Sequence, residues 1–418
     1  MAAIITDQIR ILNAKNFMSG VSTSTRSFYS FVGLPNPTDI ASDWDTTPPA
    51  PKDNFSDENE YWDTMIALKK INADDVRQVV PKRIWSSGTT YDMYRSDVSR
   101  SNPAKVSGAT NLYSSTFFVL NEDYRVYECL QNGTDPDNLN GRPSLDQPLF
   151  TDLEPRTAGA SGDGYVWKYL YTVGGARASA FLSANFMPVE YVKKTDAGLN
   201  SLQDLQADIR EKAAPKQMLG IELISNGAGY TSAPVVTITG NGDSTGVHPY
   251  YKLPTATATE DGGIITKIVM DSDALTGDPD SCAKFGRNFD YASVTISGGG
   301  ASVNATARAV LHGNDSGVGA NPIYDLRSTS LMFNIKADGG EAGGDTFRDF
   351  PISNRDYRQV ALLKDPKGVD SDAGAGQIYT ASTGRMQNRI GVTPAAAAGD
   401  VATLATLIDP IIEQAGGF

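Results

Sequence analysis

The sequence predicts a mainly β protein: a layered β-sandwich with a few short helices, interrupted by an inserted β-rich repeat module. Three observations predict it. Gly (40) and Pro (22) are plentiful; both disfavour helix interiors and serve turns. Tyr (18) and Phe (15) add strand-forming aromatics, which fit a pleated, half-buried surface. Apolar residues also alternate along many short runs, and one stretch of strands occurs twice. A chain of 418 residues is too long for one compact core. Its composition divides it into a first core part (1–217), the insert (218–312) and a second core part (313–418).

The first core part opens with a helical pattern. Over Ile4–Met18, apolar Ile5, Ile9, Leu12 and Phe17 are spaced for one helix face, with Thr6 as cap. Ser27–Gly33 reads as a strand ending in a turn. Leu34–Asp57 is a Pro-, Asp- and Ser-rich loop with Trp44 at its middle as an anchor. Glu58–Lys70 returns to helical character, with Tyr61, Trp62, Met65, Ile66 and Leu68 as the buried face. Short strands follow. Val76–Trp85 contains Pro81, which suits an edge or a bulge. Leu112–Leu120 and Asp123–Leu130 flank Asn121-Glu122 as a hairpin. Asn132-Gly133 opens a loop to about Pro143. In Gly164–Val173, Tyr165, Trp167, Tyr169 and Tyr171 fall on one face, which should cover a core or an interface.

The duplication begins after Pro215. Gly227-Ala-Gly-Tyr230, Val235-Val-Thr-Ile-Thr-Gly240 and Thr255-Ala-Thr-Ala-Thr259 form the first copy. Gly286-Arg-Asn-Phe289, Ser293-Val-Thr-Ile-Ser-Gly298 and Asn304-Ala-Thr-Ala-Arg308 form the second. Each is a Gly-aromatic turn, a β-branched strand, a Gly break and a strand with one polar and one small face. Gly262-Gly263 should close a hairpin onto Ile264–Met270. The second core part supplies strands at Ser328–Ile335 and Tyr357–Lys364. A final helical pattern at Val401, Leu404, Ile408 and Ile411 is limited by Pro410.

A net charge of −13 argues against binding duplex nucleic acid, which needs a cationic surplus. No apolar run reaches membrane-spanning length, and Met1-Ala-Ala-Ile-Ile lacks a signal-peptide pattern. Cys129 and Cys282 are too few for a disulfide framework and fit a reducing compartment. They and the isolated His248 and His312 show no metal-ligand spacing. Asp135/Asp137 and Glu122/Asp123 are the carboxylate pairs a glycosidase reading would use, but their Asn/Pro/Gly-rich context suits solvated turns. Gly240–Gly246 lacks the Lys and helix of a phosphate loop. Asp271, Asp273, Asp278 and Asp280 lack the closing Glu of a calcium loop, so a solvated loop is the preferred reading and a bound calcium ion an open one. Catalytic, cofactor-binding and metal-ligating residues are therefore expected to be absent.

Four ordered segments carry a resemblance. Asp7-Gln-Ile-Arg-Ile-Leu-Asn-Ala-Lys-Asn16, Val80-Pro-Lys-Arg-Ile-Trp85, Gly162-Asp-Gly-Tyr-Val-Trp-Lys-Tyr-Leu170 and Tyr357-Arg-Gln-Val-Ala-Leu-Leu-Lys-Asp-Pro366 are similar to the smaller, dimeric wedge subunit of T4-like phage baseplates. The longer versions from phages of cyanobacteria are the most similar. The match is collinear over residues 1 to about 190 and again near 320–370. None of the segments is a catalytic signature, and their specificity lies in their common order. The repeat module is absent from the shortest family members, and the chain after Gln377 is only loosely similar. The resemblance implies a homodimer within a wedge, contacts to other wedge proteins, no enzymatic activity, assembly in the host cytoplasm and residence in the virion tail. Trp44, Tyr61, Trp62, Leu404 and Ile408 are the candidate partner-interface residues. A second reading makes the insert a virion-surface binding module for host glycan or another tail protein, with Tyr230, Phe289 and Tyr291 as ring surfaces; the alternative for these rings is packing inside the module.

Overall fold

The computed structural model describes residues 6–22, 28–33, 65–242, 253–270, 286–312, 316–335, 359–364, 379–380 and 385–386. The chain is mainly β, with antiparallel sheets and a few short helices. It divides into two compact units, Met1–Ile11 with Gln78–Thr329 and Leu12–Arg77 with Ser330–Phe418.

The second unit contains a three-stranded sheet with β1 (Phe28–Gly33) at its centre, between β15 (Gln359–Lys364) and β2 (Met65–Lys70). The helix expected over Glu58–Lys70 is thus corrected for its described part. Met65–Lys70 is a strand, with Leu68 opposite Phe31 and Lys70 opposite Tyr29. Its apolar residues suit either period, and the ladder offered by β1 decides between them. Helix α1 (Asp7–Ser22) also differs in its buried stripe. Ile9 and Leu12 are about half exposed (47% and 48%), whereas Ile11, Ala14 and Phe17 are buried. Phe17 packs 4.8 Å from the Phe28 ring and 5.7 Å from Phe333, in a small core with Ile71 and Val76.

In the first unit, β3 (Val76–Pro81) pairs with β7 (Phe186–Pro188), and Pro81 sits at the ladder's end opposite Phe186. Strand β5 (Arg125–Asn132) lies between β4 (Phe118–Leu120) and β6 (Tyr165–Thr172). The β4–β5 turn is held by Asn121, whose Oδ1 accepts from the backbone N–H of Asp123 (3.0 Å) and Arg125 (2.8 Å). Tyr165, Trp167, Tyr169 and Tyr171 are all buried, but so are Val166, Lys168 and Leu170 between them. Both faces of β6 are therefore covered, with α2 (Gly175–Phe181) close behind it in sequence and α3 (Ser201–Glu211) packed on it. Gln206 of α3 donates to the Thr172 carbonyl at 2.8 Å, and a capping box of Asn200 and Gln203 starts that helix. The Tyr165 and Trp167 rings stack at 5.3 Å. Burying each such ring stabilises the fold by roughly 1.5–3 kcal/mol.

The insert has its own core. Its strands are β8 (Met218–Ser225), β9 (Val235–Gly240), β10 (Ala256–Asp261), β11 (Ile264–Met270), β12 (Ala292–Ser297) and β13 (Thr306–Leu311). Gly262 and Gly263, both at positive φ (62° and 86°), turn β10 into β11 as the sequence predicts. Hydrogen-bonded ladders join β11-β10-β9-β12 and β13-β8, while β12 lies against β13 and β11 against β8. The six strands thus form a four-stranded and a two-stranded sheet that lie against each other around one core. The two sequence copies share these strands evenly. The strand before each Gly-aromatic turn pairs with the last strand of the other copy: β8 with β13, and β11 with β10. The middle strands pair with each other, and Thr237 faces Thr295, its own equivalent in the second copy. A local two-fold axis therefore passes between these two threonines. Ile238 and Ile296, again equivalents, both point into the core.

Helix α4 (Pro322–Asp325), with Pro at its first turn and Asn321 accepting from Ile323 N–H, leads to β14 (Ser330–Phe333).

Candidate functional site

A cleft of about 80 Å³ lies where the β4–β6 core meets the insert. One wall is the end of β5 and the loop after it, Gln131–Asp135, with Arg142, Thr157 and Val166. The other wall is Ile221–Leu223 of β8 and Thr266–Val269 of β11. The core wall needs two glycines. A Cβ on Gly164 would lie 2.7 Å from the Gly133 Cα, so the loops before β6 and after β5 meet backbone to backbone.

Asp135 shapes the loop. Its Oδ1 accepts from the N–H of Asp137 (3.0 Å) and Asn138 (2.8 Å), and its Oδ2 pairs with Arg142 Nη2 at 2.6 Å. Burial disfavours its charge, but the Asn138 and Arg142 hydrogen bonds outweigh it and hold the carboxyl below the usual aspartate range. Asp137 accepts from Asn226 of the insert at 3.3 Å. The Asp135/Asp137 pair is thus engaged in a turn and a loop contact. Glu122 and Asp123 lie on the β4–β5 turn, where Asp123 pairs with Arg125 at 3.3 Å. Asp163 ties two further segments, accepting from Tyr165 N–H (3.0 Å) and Leu145 N–H (2.9 Å). Asp92 gathers the 106–116 loop through Val106 N–H, Ser107, Ser115 and Thr116, and its carboxyl is also lowered against burial.

At the seam lies Glu222, a buried charge on the outward face of β8. It pairs with Lys105 of the core at 2.5 Å and with Arg308 of β13 at 2.5 Å. Burial alone would raise its carboxyl; the two cations pull it below the normal value. Sequence reasoning missed this group, although Glu222 is a lone charge in Gly-Ile-Glu-Leu-Ile, and Arg308 stands where the first copy has Thr259. Glu128, on central strand β5, is the opposite case. It is wholly buried, and neither carboxyl oxygen makes a hydrogen bond among the described residues. Burial and then Asp325 raise it well above the ordinary range, with Arg327 and Lys168 pulling the other way.

Of the three insert rings, Tyr230 and Phe289 are corrected to core residues, at 3% and 2% exposure. The Tyr230 hydroxyl accepts from Ala305 N–H at 2.7 Å, and Phe289 packs over Gly240, Gly242 and Gly286. The Gly-aromatic turn folds its ring inward, where a barrel of small strands needs volume. Tyr291 is 63% exposed. His312 stacks on Tyr94 at 4.7 Å, and the buried Cys129 thiol, pushed up by burial, donates to the Gln131 carbonyl at 3.2 Å. Trp44, Tyr61, Trp62, Leu404, Ile408, Cys282, His248 and the four aspartates of 271–280 lie outside the described residues. Among the described residues no group of His, Cys, Asp and Glu is placed to hold a metal ion, and no helix is long and apolar enough to cross a membrane. No family model matches the chain, and no curated protein has a significantly similar sequence.

Proposed function

We propose that the chain is a structural subunit of the baseplate wedge of a contractile phage tail, assembled in the host cytoplasm and retained in the virion. In this reading it works as a homodimer clamped between other wedge proteins. It performs no bond-making step and turns as a rigid body when the baseplate switches, because packed interfaces are bistable. The observation that carries the reading is the collinear order of four sequence segments similar to the dimeric wedge subunit. Support comes from what those segments do locally: the third supplies Tyr165, Trp167 and Tyr169 to the core, and the fourth contains β15, which pairs with β1. Light scattering on the purified chain at micromolar concentration should give twice the 44.6 kDa chain mass. Mass spectrometry of purified tails should find the chain in the baseplate, and its absence from tail particles would sink the proposal. Trp44→Ala should weaken wedge assembly while leaving the melting temperature unchanged.

One observation favours a second reading, in which the insert also contacts a host glycan. Tyr291, Ser293, Thr295 and Ser297 lie on the same outward face as Asn241, Thr239, Thr237 and Val235, and all are exposed. None carries a charge, on a chain of net −13, and an uncharged face with hydroxyls and one exposed ring suits a neutral sugar polymer. The full chain on an array of neutral and anionic glycans should retain neutral ones, and Tyr291→Ala should reduce retention at least tenfold. Equal retention by both proteins would remove this reading without touching the wedge proposal.

A further inference from the structure

The cleft between the core and the insert combines apolar and charged side chains in its lining. Its floor is apolar, with Met93 and Val166 from the core side, Ile221 and Leu223 from β8 and Val310 from β13. Val269, 36% exposed, stands at its edge on β11. A dry, apolar cavity of about 150 Å³ holds one benzene ring. The 80 Å³ here therefore encloses a branched group of about three or four carbons, with any polar end left at the mouth.

The charge around the mouth selects that polar end. Asp135 is neutralised by Arg142, and Glu222 lies between two cations, Lys105 and Arg308. Lys267, exposed on β11, makes no ion pair among the described residues. The two carboxylates of the lining are thus each met by a cation, which leaves Lys267 as the lining cation without an ion pair among the described residues, and an exposed ammonium beside an apolar floor suits an amphipathic anion. Thr134 and Thr157 add hydroxyls to the lining. We propose that this cleft binds an isobutyl-sized aliphatic carboxylate, either a free short-chain acid or the C-terminal residue of a partner polypeptide. Walls from two separate cores would then be bridged by one ligand. The proposal is independent of the wedge reading.

The test is calorimetric titration of the full chain with three probes: 4-methylpentanoate, its uncharged analogue 4-methylpentanol, and a pentapeptide ending in Leu. The carboxylates should bind, and the alcohol should bind at least tenfold more weakly. Lys267→Glu should weaken the carboxylates at least tenfold, and Val269→Trp, which fills the mouth from an exposed position, should abolish binding with an unchanged melting temperature. Tighter binding of the peptide would assign the site to a partner's C-terminus, and tighter binding of the free acid to a small molecule. No heat with any probe, equal affinity for acid and alcohol, or full binding by both variants would overturn the proposal.

Discussion

The β4–β6 core and the inserted barrel share a compact unit and are filled in opposite ways. The core sheet is packed with large, unrelated rings on both faces: Trp167, Tyr165, Tyr169, Tyr127, Phe117 and Phe118 are all essentially inaccessible. The barrel is filled by repetition, with Ile238 and Ile296 as equivalents across a local two-fold axis, and with Tyr230 and Phe289 as inward lids of the two copies. An aromatic core gains its stability from a few irreplaceable shapes, whereas a duplicated barrel spreads it over pairs of small residues. The comparison breaks first at Trp167. Trp167→Ala should cost about 3–5 kcal/mol in urea unfolding, the largest effect anticipated in this chain. A loss below 1 kcal/mol would mean that the ring does not carry the core.

The joint between the two regions comes next. Glu222→Gln leaves Lys105 and Arg308 without their shared anion. Removing one partner of a buried pair costs about 3–5 kcal/mol. Here both cations are partly exposed, at 35% and 45% of their side chains, so about 2–3 kcal/mol is expected after solvent takes up some of their charge. The sign of the pH dependence follows from the lowered carboxyl. Its contribution is present above the unfolded glutamate value and is lost as pH falls through the folded one. The Glu222→Gln penalty should therefore shrink on acidification. A penalty constant from pH 7 down to pH 3 would show that the pair is not ionised in the fold.

How far these features were legible in the sequence follows the same division. The barrel could be read because its strands repeat and alternate: Thr257 and Thr259 face out, Ala258 faces in, and the Gly262-Gly263 turn is where its residues demand it. The core strands were legible from period-two aromatics, but the burial of Lys168 and Val166 between them was not, since a second covering layer leaves no mark on the strand itself. The same limit hid the strand at Met65–Lys70, whose partner β1 lies far back in the chain, and the Ile11–Ala14–Phe17 stripe of α1. Tyr230 and Phe289 could be placed on turns, but the choice between surface and inward packing stayed open, because it depends on glycines that make room for the rings, 227 and 299 for Tyr230 and 240 and 242 for Phe289. The Lys105–Glu222 pair joins residues 117 positions apart, and no local pattern marks such a contact.

Glu128 sharpens the comparison from the core side with a smaller effect of opposite sign. Its carboxyl is raised, by burial first and by Asp325 second, against Arg327 and Lys168; Tyr94, pushed up to about 12, also faces this cluster. A raised acid contributes stability that is complete below its unfolded value and is lost as pH climbs through its folded one. Glu128→Gln should therefore stabilise the chain at alkaline pH by about 1 kcal/mol, the order of an unsatisfied buried group. The gain should vanish in acid, where wild-type Glu128 is already neutral. Thermal unfolding of both proteins across pH decides it, and a variant that is less stable at every pH would show that the glutamate makes a contact the amide cannot replace.

The smallest expected effect tests whether the barrel's repetition is energetic as well as geometric. Ile238→Val and Ile296→Val each remove one buried methylene from equivalent sites, at a cost of about 0.5–1.5 kcal/mol. The two sites sit on paired strands with Ile238 opposite Val294 and Ile296 opposite Val236, so each deletion is met by the same neighbour chemistry. The costs should agree within about 0.5 kcal/mol. The double variant is the more searching measurement, because neighbouring cavities across one axis can merge or be filled by a shared inward movement of the two strands. A double loss smaller than the sum would mean that the paired strands relax together, as two halves of one symmetric unit must. Single losses that differ by more than about 1 kcal/mol would mean that the copies have diverged in packing and share only a backbone.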